Sequence, residues 1–198
     1  SVQTKMRIVT GFAESHSLFA RAGSGFRRAL GELALQGAPV HPERARGGRD
    51  VAAVLVQHAL DVFAKEVMGI PQRLYVTQSW SLINEPRAGM HTHAHSNSVV
   101  SGSLYYTEMP EPPARMIFNR HRTHQQIDLQ PDAGLKNIYN TPINVLTPKR
   151  NEVVLFASDL THMVEENSAG QVRYSIAFNT FVRGKLGGYR NVSELVLS

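Results

Sequence analysis

Residues 90–106, MHTHAHSNSVVSGSLYY, place three of the chain's nine histidines, His91, His93 and His95, at a spacing of two residues. In an extended strand, residues two apart lie on the same face, so the three imidazoles are expected to point the same way. The apolar run that follows predicts a second strand, which returns from the first as a hairpin through residues 96–98. The stretch therefore predicts a strand pair that carries a candidate metal site.

The composition limits which kinds of metal site are available. The chain of 198 residues contains no cysteine, which excludes disulfides, thiolate metal sites and a cysteine nucleophile. A transition-metal site must then use histidine and carboxylate ligands, which suit iron, manganese, or zinc bound without sulfur.

Charge and hydropathy constrain the partners and the location. The net charge is +5, but the lysines and arginines are scattered and no recognition motif accompanies them, so we expect no nucleic-acid partner. A positive field also helps to recruit a small anionic acid. No apolar window is long enough to span a membrane, and the N-terminal residues lack a signal-peptide layout. These features predict a cytoplasmic protein without a membrane anchor.

The periodicity changes from helical to strand-like along the chain. Residues 6–9 predict a strand, the second half of residues 18–37 predicts a helix, and residues 50–69 predict a helix capped by Asp50 and ended by Gly69. After Pro71 the pattern predicts about eight short strands with no alternation of strand and helix. This layout predicts an α+β fold, an antiparallel sandwich or barrel covered on one side by helices. We expect a single domain over 1–198, with 1–70 as a mainly helical support and 72–190 as the β core.

Two distant features complete the candidate site. His162 follows the apolar run VVLFA, and Arg173 and Ser175 lie on the predicted strand QVRYSIAFNTFV as R-x-S. Strand alternation puts Arg173 and Ser175 on one face, where a guanidinium and a hydroxyl can together bind a carboxylate. The sequence thus predicts a histidine metal site with a carboxylate-binding site beside it.

Three motifs resemble those of a known family. They are H-x-H-x-N-S-x-x-S-G-x-x-Y-Y from His93, L-F-x-S-x-L-x-H-x-V from Leu155 and R-x-S-x-x-F-N from Arg173. Their order and spacing resemble the iron(II)/2-oxoglutarate-dependent oxygenases, most closely those of phages and bacteria, over about residues 80–187. The resemblance implies a double-stranded β-helix (jelly-roll, cupin-like) core with N-terminal helices packed on one sheet. It also implies a dioxygenase that uses Fe(II), 2-oxoglutarate and O2 to oxidise, by default to hydroxylate, a small substrate with release of succinate and CO2.

The resemblance assigns roles to particular residues. His162 matches the distal iron ligand, Arg173 the residue that binds the far carboxylate of 2-oxoglutarate, and Ser175 its hydroxyl helper. Aligned without a gap, the proximal ligands are His93 and His95, whereas a hairpin two residues longer makes them His91 and His93. No catalytic residue beyond the metal ligands is predicted.

The chain departs from the wider superfamily in lacking a carboxylate ligand. No acidic residue lies between Glu85 and Glu108, and Asp159, three residues before His162, is not expected to be a ligand. The site then has either three histidines or one position filled by water. Three histidines would carry one negative charge less than the usual set and hold a more Lewis-acidic iron.

Other residues near the motifs have two interpretations. Tyr105 and Tyr106 point to opposite faces of their strand, and Tyr105 is the one we expect beside the cosubstrate. Asn84 and Trp80 either line the pocket or pack in the core. Two alternative functions stay open: a cupin-type three-histidine dioxygenase without 2-oxoglutarate, and a non-catalytic metal-binding β-sandwich module. A homo-oligomer is compatible with the sequence.

Overall fold

The computed structural model describes residues 3–9, 17–21, 46–119, 132–137 and 140–197. Helix α1 spans Arg46–Val62 and continues as a π-helical turn, Phe63–Met68; two short 3-10 turns cover Ala133–Leu135 and Tyr189–Asn191. The strands are β1 (Gln3–Val9), β2 (Ser17–Arg21), β3 (Arg73–Asn84), β4 (Met90–His93), β5 (Val100–Tyr105), β6 (Met116–Asn119), β7 (Ile143–Leu146), β8 (Glu152–Ala157), β9 (His162–Val164), β10 (Arg173–Leu186) and β11 (Leu195–Leu197).

The strands form two sheets. The larger has seven strands in the order β11-β10-β5-β8-β1-β2, with β3 also paired to β10; the smaller has the order β4-β9-β6-β7. All pairs are antiparallel except β1 with β8. This arrangement confirms the predicted double-stranded β-helix, in which two facing sheets enclose a site between them.

Helix α1 covers the outer face of the larger sheet. Leu60 of α1 and Phe63 of the π-helical turn belong to one buried cluster with the sheet residues Leu74, Leu104 and Phe178. The helix ends, as predicted, at Gly69, whose φ of 63° is left-handed and whose N–H bonds to the Ala64 carbonyl. None of the helices in the described ranges is long and apolar enough to cross a membrane.

A second buried cluster fills the space between the sheets. It includes Tyr105, Phe118 and Phe156, all at most 2% exposed. Close packing of β5 requires glycine at position 102, because a Cβ there would lie 2.5 Å from Phe178 Cζ and 2.6 Å from the Val154 carbonyl oxygen. The S-G of the first motif is therefore part of the sheet's packing.

The predicted hairpin between β4 and β5 is wrong. β4 pairs with β9 in the smaller sheet, whereas β5 pairs with β8 and β10 in the larger one. The segment between them crosses from one sheet to the other, and residues 96–98 belong to that crossing. A turn signal indicates where the chain reverses, but it does not tell whether the next strand joins the same sheet.

The N-terminal part departs from the helical prediction in two places. Residues 17–21 form β2, a strand within the part of the chain that was expected to be mainly helical, while the helix predicted in the second half of residues 18–37 lies outside the described residues. Helix α1 begins at Arg46, so Asp50 lies inside it instead of capping it. Local signals place helix ends poorly, since a glycine pair lowers helix propensity without forbidding helix. The single-domain assignment over 1–198 stays a prediction.

Candidate functional site

Three imidazoles meet at the open end of the two facing sheets. His93 ends β4 and His162 begins β9, and the two are paired in register, with ring centroids 4.4 Å apart. His95 follows β4, and its main-chain N–H donates to the Ser158 carbonyl at 2.9 Å. Its ring centroid lies 5.1 Å from that of His93 and 5.2 Å from that of His162. The ligand atoms of all three side chains lie within 4.8 Å of one another, close enough to share one metal ion.

Main-chain carbonyls fix the tautomers of two of these rings. His93 Nδ1 lies 2.7 Å from the His91 oxygen, and His162 Nδ1 lies 2.9 Å from the Leu160 oxygen. A carbonyl only accepts, so each Nδ1 must carry a proton and donate it. Each Nε2 is then left with a free lone pair for a metal, the usual arrangement of second partners around histidine ligands.

Burial keeps the imidazoles of His95 and His162 in the neutral form that binds metal. The pKa of His162 is lowered to about 4, chiefly by desolvation; the hydrogen bond to the Leu160 carbonyl opposes this shift, and the neighbouring His93 and His95 add smaller lowering effects. Desolvation and the nearby His93 also lower the pKa of His95. Both rings are therefore neutral at pH 7, and a metal need not displace protons from them.

The two alternative proximal histidines, His91 and His95, differ in position relative to the cluster. His95 joins His93 and His162, whereas His91 is outside the cluster. The chain leaves β4 at His93 and turns, which carries His95 towards His162. Neither Asp159 nor any other described acidic residue belongs to the cluster, so the described candidate ligands are three imidazoles.

A buried cation lies on the inner face of β10. Arg173 is 1% exposed, and its Nη2 donates to Asn84 Oδ1 at 2.9 Å, while Nη1 reaches the Ala114 carbonyl oxygen at 3.4 Å. Both partners are neutral, and among the described residues no carboxylate forms an ion pair with it. Its Nε and the Ser175 Oγ are buried without hydrogen-bond partners. Two orphaned donors beside an uncompensated charge fit an anionic ligand.

Tyr105 lies beside this cation. The guanidinium carbon of Arg173 is 5.6 Å from the centroid of the Tyr105 ring, and the Tyr105 hydroxyl donates to Met116 Sδ at 3.1 Å. Thioether sulfur is a weak acceptor, so an anion nearby would be a better partner for this hydroxyl. Burial raises the pKa of Tyr105 more than the nearby Arg173 and Ser103 lower it, which keeps the hydroxyl protonated as a donor. Tyr106 instead packs against the cluster under helix α1.

One cavity joins the histidines to the cation. Trp80 and Asn84 both line this cavity, which is the first of the two interpretations given for them above. The other lining residues are Leu82, Met90, His93, His95, Gly102, Ser103, Met116, Phe156, His162, Val164, Arg173, Ala177 and Phe178. Sequence reasoning missed Ser103 and Met116. Ser103 could have been found, because it lies two residues before Tyr105 and so shares its face. Met116 comes from the smaller sheet, and no local pattern indicates what it faces.

The donor sets of this cavity fit the implied cofactors. Imidazole nitrogens suit iron, and the three leave other coordination positions for an oxo acid and oxygen. At the other end, the unpartnered Arg173 Nε and Ser175 Oγ are donors of the kind that the far carboxylate of a dicarboxylic acid would need.

Acid is expected to destabilise the metal-free protein through His162. Its folded-state pKa of about 4 lies below the ordinary 6.5, so its contribution to stability is complete above pH 6.5 and is lost as the pH falls towards 4. Between pH 7.5 and 4.5, this group alone lowers the free energy of unfolding by about 2 kcal/mol. Chemical denaturation at several pH values measures this loss. The free energy of unfolding of the wild type should fall more steeply with acid than that of His162→Gln, whose side chain does not titrate, and the difference is the contribution of His162. Identical pH dependences would contradict the assignment.

A family model covers the segment that contains the whole constellation. The model described as "Putative 2OG-Fe(II) oxygenase" matches residues 78–179, slightly more than half of the 198 residues. The matched segment includes the three histidines, Tyr105, Arg173 and Ser175. No curated protein matches the chain.

Several solved structures share the fold at low sequence identity. AviO1 from Streptomyces viridochromogenes is 14% identical with a TM-score of 0.54, covering 81% of this chain and 85% of that one. HygX from Streptomyces hygroscopicus, solved with nickel and 2-oxoglutarate bound, is 13% identical with a TM-score of 0.52 and coverages of 80% and 78%. An oxidoreductase of the 2OG-Fe(II) oxygenase family from Burkholderia pseudomallei is 12% identical with a TM-score of 0.50. The alignment with it covers 68% of this chain and 57% of that protein's length.

Proposed function

We propose, on the premise that the chain belongs to the family of putative 2OG-Fe(II) oxygenases, that it is an Fe(II)- and 2-oxoglutarate-dependent dioxygenase acting on a small substrate. Hydroxylation is the default outcome, with 2-oxoglutarate converted to succinate and CO2. One observation carries the proposal beyond family membership: the buried Arg173 lines the same cavity as the histidines and has only neutral partners among the described residues. Its Nε and the hydroxyl of Ser175, two residues along the same strand, are both buried without a hydrogen-bond partner. A buried guanidinium without an acidic partner is expected where an anionic ligand supplies the compensating charge.

The chain's residues would divide the work between the two ends of the cavity. His93 and His162 would hold Fe(II) through Nε2, and His95 would complete the set. Arg173 and Ser175 would bind the far carboxylate, with Tyr105 as a further donor once its hydroxyl leaves Met116. When bound, Fe(II) and 2-oxoglutarate supply the oxidising chemistry, in which O2 is consumed and the oxo acid loses CO2.

The cavity wall between the two ends is mainly apolar. Leu82, Met116, Phe156 and Val164 surround the path from the histidines to Arg173. An apolar wall excludes water from the reacting atoms and strengthens the interaction between the guanidinium and a carboxylate. The same wall leaves the bound acid few orientations, so its oxo-acid end is directed towards the histidines.

The three-histidine set also favours the alternative of a cupin-type dioxygenase that does not use 2-oxoglutarate. That alternative explains the absence of an acidic residue from the cluster. It gives no role to the buried Arg173 or to the orphaned Ser175 hydroxyl. The two candidate functions therefore differ in one property, the binding of a dicarboxylic oxo acid.

An anaerobic titration separates these candidates. Addition of Fe(II) and then 2-oxoglutarate to the wild type is expected to produce a metal-to-ligand charge-transfer band in the visible region. Admission of O2 should then yield succinate as 2-oxoglutarate is consumed. Iron binding without the band or any 2-oxoglutarate binding would favour the cupin-type alternative, and binding of both without any turnover would favour the non-catalytic module.

A further inference from the structure

Asn84 ends β3 directly opposite Arg173 on β10 and lines the cavity. We propose that Asn84 is a further cosubstrate-binding residue: it orients the Arg173 guanidinium and donates a hydrogen bond from Nδ2 to the same carboxylate. The inference rests on the proposed function and deepens it, because it names a residue that sets the preference for an acid with a second carboxylate.

The first step concerns the orientation of the Asn84 amide. Arginine has donors only, so the atom 2.9 Å from Arg173 Nη2 must be the amide oxygen, Oδ1. This contact removes the usual ambiguity between the oxygen and nitrogen of an amide. Nδ2 is therefore directed away from the guanidinium. It makes no hydrogen bond within the described part of the chain, and it is not among the fully buried atoms that lack a partner. Since Asn84 is 5% exposed and lines the cavity, Nδ2 has the cavity to donate into.

The second step is that Asn84 is held rigidly. Its main-chain oxygen accepts a hydrogen bond from Asn167 Nδ2 at 2.9 Å, and the same Nδ2 donates to the Gln171 carbonyl at 2.8 Å. Asn167 is 1% exposed, and its main chain also bonds to Arg87 and Ala88. Asn167 thus joins the main chain at and just after Asn84 to the main chain just before Arg173. A donor fixed in this way needs little reorganisation when a ligand arrives.

The third step concerns charge. A buried guanidinium needs acceptors, and a carboxylate at position 84 would supply one together with a full negative charge. The resulting ion pair would compensate Arg173 inside the protein and leave less attraction for a ligand. The neutral Asn84 amide accepts a hydrogen bond without neutralising the cation, so the charge stays available for the acid's second carboxylate.

The test is Asn84→Asp, which keeps the size of the side chain, replaces the Nδ2 donor by oxygen and adds the competing charge. In the Fe(II)-loaded protein under anaerobic conditions, the affinity for 2-oxoglutarate, read from the charge-transfer band, is expected to fall about 100-fold. Fe(II) affinity should stay within threefold of wild type, and the metal-free variant should melt no lower than wild type, because the new ion pair compensates Arg173. A purely structural role for Asn84 predicts the reverse, a lower melting temperature with unchanged 2-oxoglutarate affinity.

A loss of less than tenfold in Asn84→Asp overturns the inference. If that variant does not fold, Asn84→Ser carries the test, with an expected loss of about tenfold; a loss below threefold overturns the inference. Wild-type protein that binds Fe(II) but no 2-oxoglutarate overturns the proposed function as well. Wild-type binding together with unchanged binding in the variants overturns only the role of Asn84.

Discussion

Replacement of His162 by glutamine is expected to lower Fe(II) affinity at least 100-fold, because it removes one of the three candidate ligands that the described residues bring together. Loss of a mere supporting partner around a metal-bound histidine costs about 10- to 100-fold, and loss of the ligand itself should cost no less. Glutamine fills much of the space of the imidazole, which is 4% exposed and lies 4.5 Å from the ring of Phe156. The variant therefore limits the packing loss that alanine would add.

The matched pair for this prediction is His95→Ala and His91→Ala. His95 belongs to the cluster and His91 does not, so only the first should lose metal. Trp80 is the chain's single tryptophan, and its ring lies 6.1 Å from that of His95. Its fluorescence should therefore report binding of Fe(II), or of Co(II) in its place. Retention of metal by His95→Ala together with its loss in His91→Ala would show that the longer-hairpin alignment is the correct one.

The R-x-S pair shows what a sequence pattern can predict about such a site. Strand alternation alone predicts that Arg173 and Ser175 lie on one face. In β10 both side chains are indeed buried on the inner side. Alternation is a property of the strand itself, so the prediction needs no knowledge of neighbouring strands. Likewise, the two apolar runs that became β5 and β8 are fully or almost fully buried, as their composition predicts.

The proximal histidines show where the sequence pattern is insufficient. The expectation that three imidazoles share a face assumed a strand through residue 95, but β4 ends at His93. His95 enters the cluster from the crossing segment, held by a main-chain hydrogen bond to Ser158. That bond joins residues far apart in sequence, and no local periodicity reports it.

Pairing between strands is the other feature that local patterns do not determine. Strands β3, β4 and β5 lie alternately in the larger, the smaller and the larger sheet, so β4 finds its partner in β9, about seventy residues later. The same crossing brings Met116 from the smaller sheet to the Tyr105 hydroxyl. A sequence shows which residues are apolar and which strands alternate, but which side chains meet across the cavity depends on these long-range pairings.

Arg173→Met is expected to reduce the affinity for 2-oxoglutarate by about 100-fold or more, since truncation of one partner of a buried, hydrogen-bonded charge pair costs about 2–5 kcal/mol. Its effect on the ligand-free protein should be small or even stabilising. In the wild type the guanidinium is buried with two neutral acceptors and an unpartnered Nε, and methionine removes that cost while filling much of the same volume.

Thermal unfolding of the Fe(II)-loaded protein under anaerobic conditions measures both effects. At 100 times its dissociation constant, 2-oxoglutarate adds about 2.7 kcal/mol to the stability of the wild type, a rise of roughly 5–10 °C for a chain of this size. The same concentration of 2-oxoglutarate should leave the melting temperature of Arg173→Met unchanged. Ser175→Ala, which loses one hydrogen bond to the carboxylate, should bind 2-oxoglutarate about tenfold more weakly.

Arg183→Met is the matched control on the same strand. Arg183 is exposed and lies over the ring of Tyr75, 4.3 Å from its centroid, and it does not line the cavity. If a general positive field bound the acid, the two arginine variants would weaken binding by similar factors. Because a buried guanidinium with orphaned donors acts at short range in a dry cavity, we expect the loss only in Arg173→Met. Equal losses in the two variants would show that the acid is held at the surface and that Arg173 has a structural role.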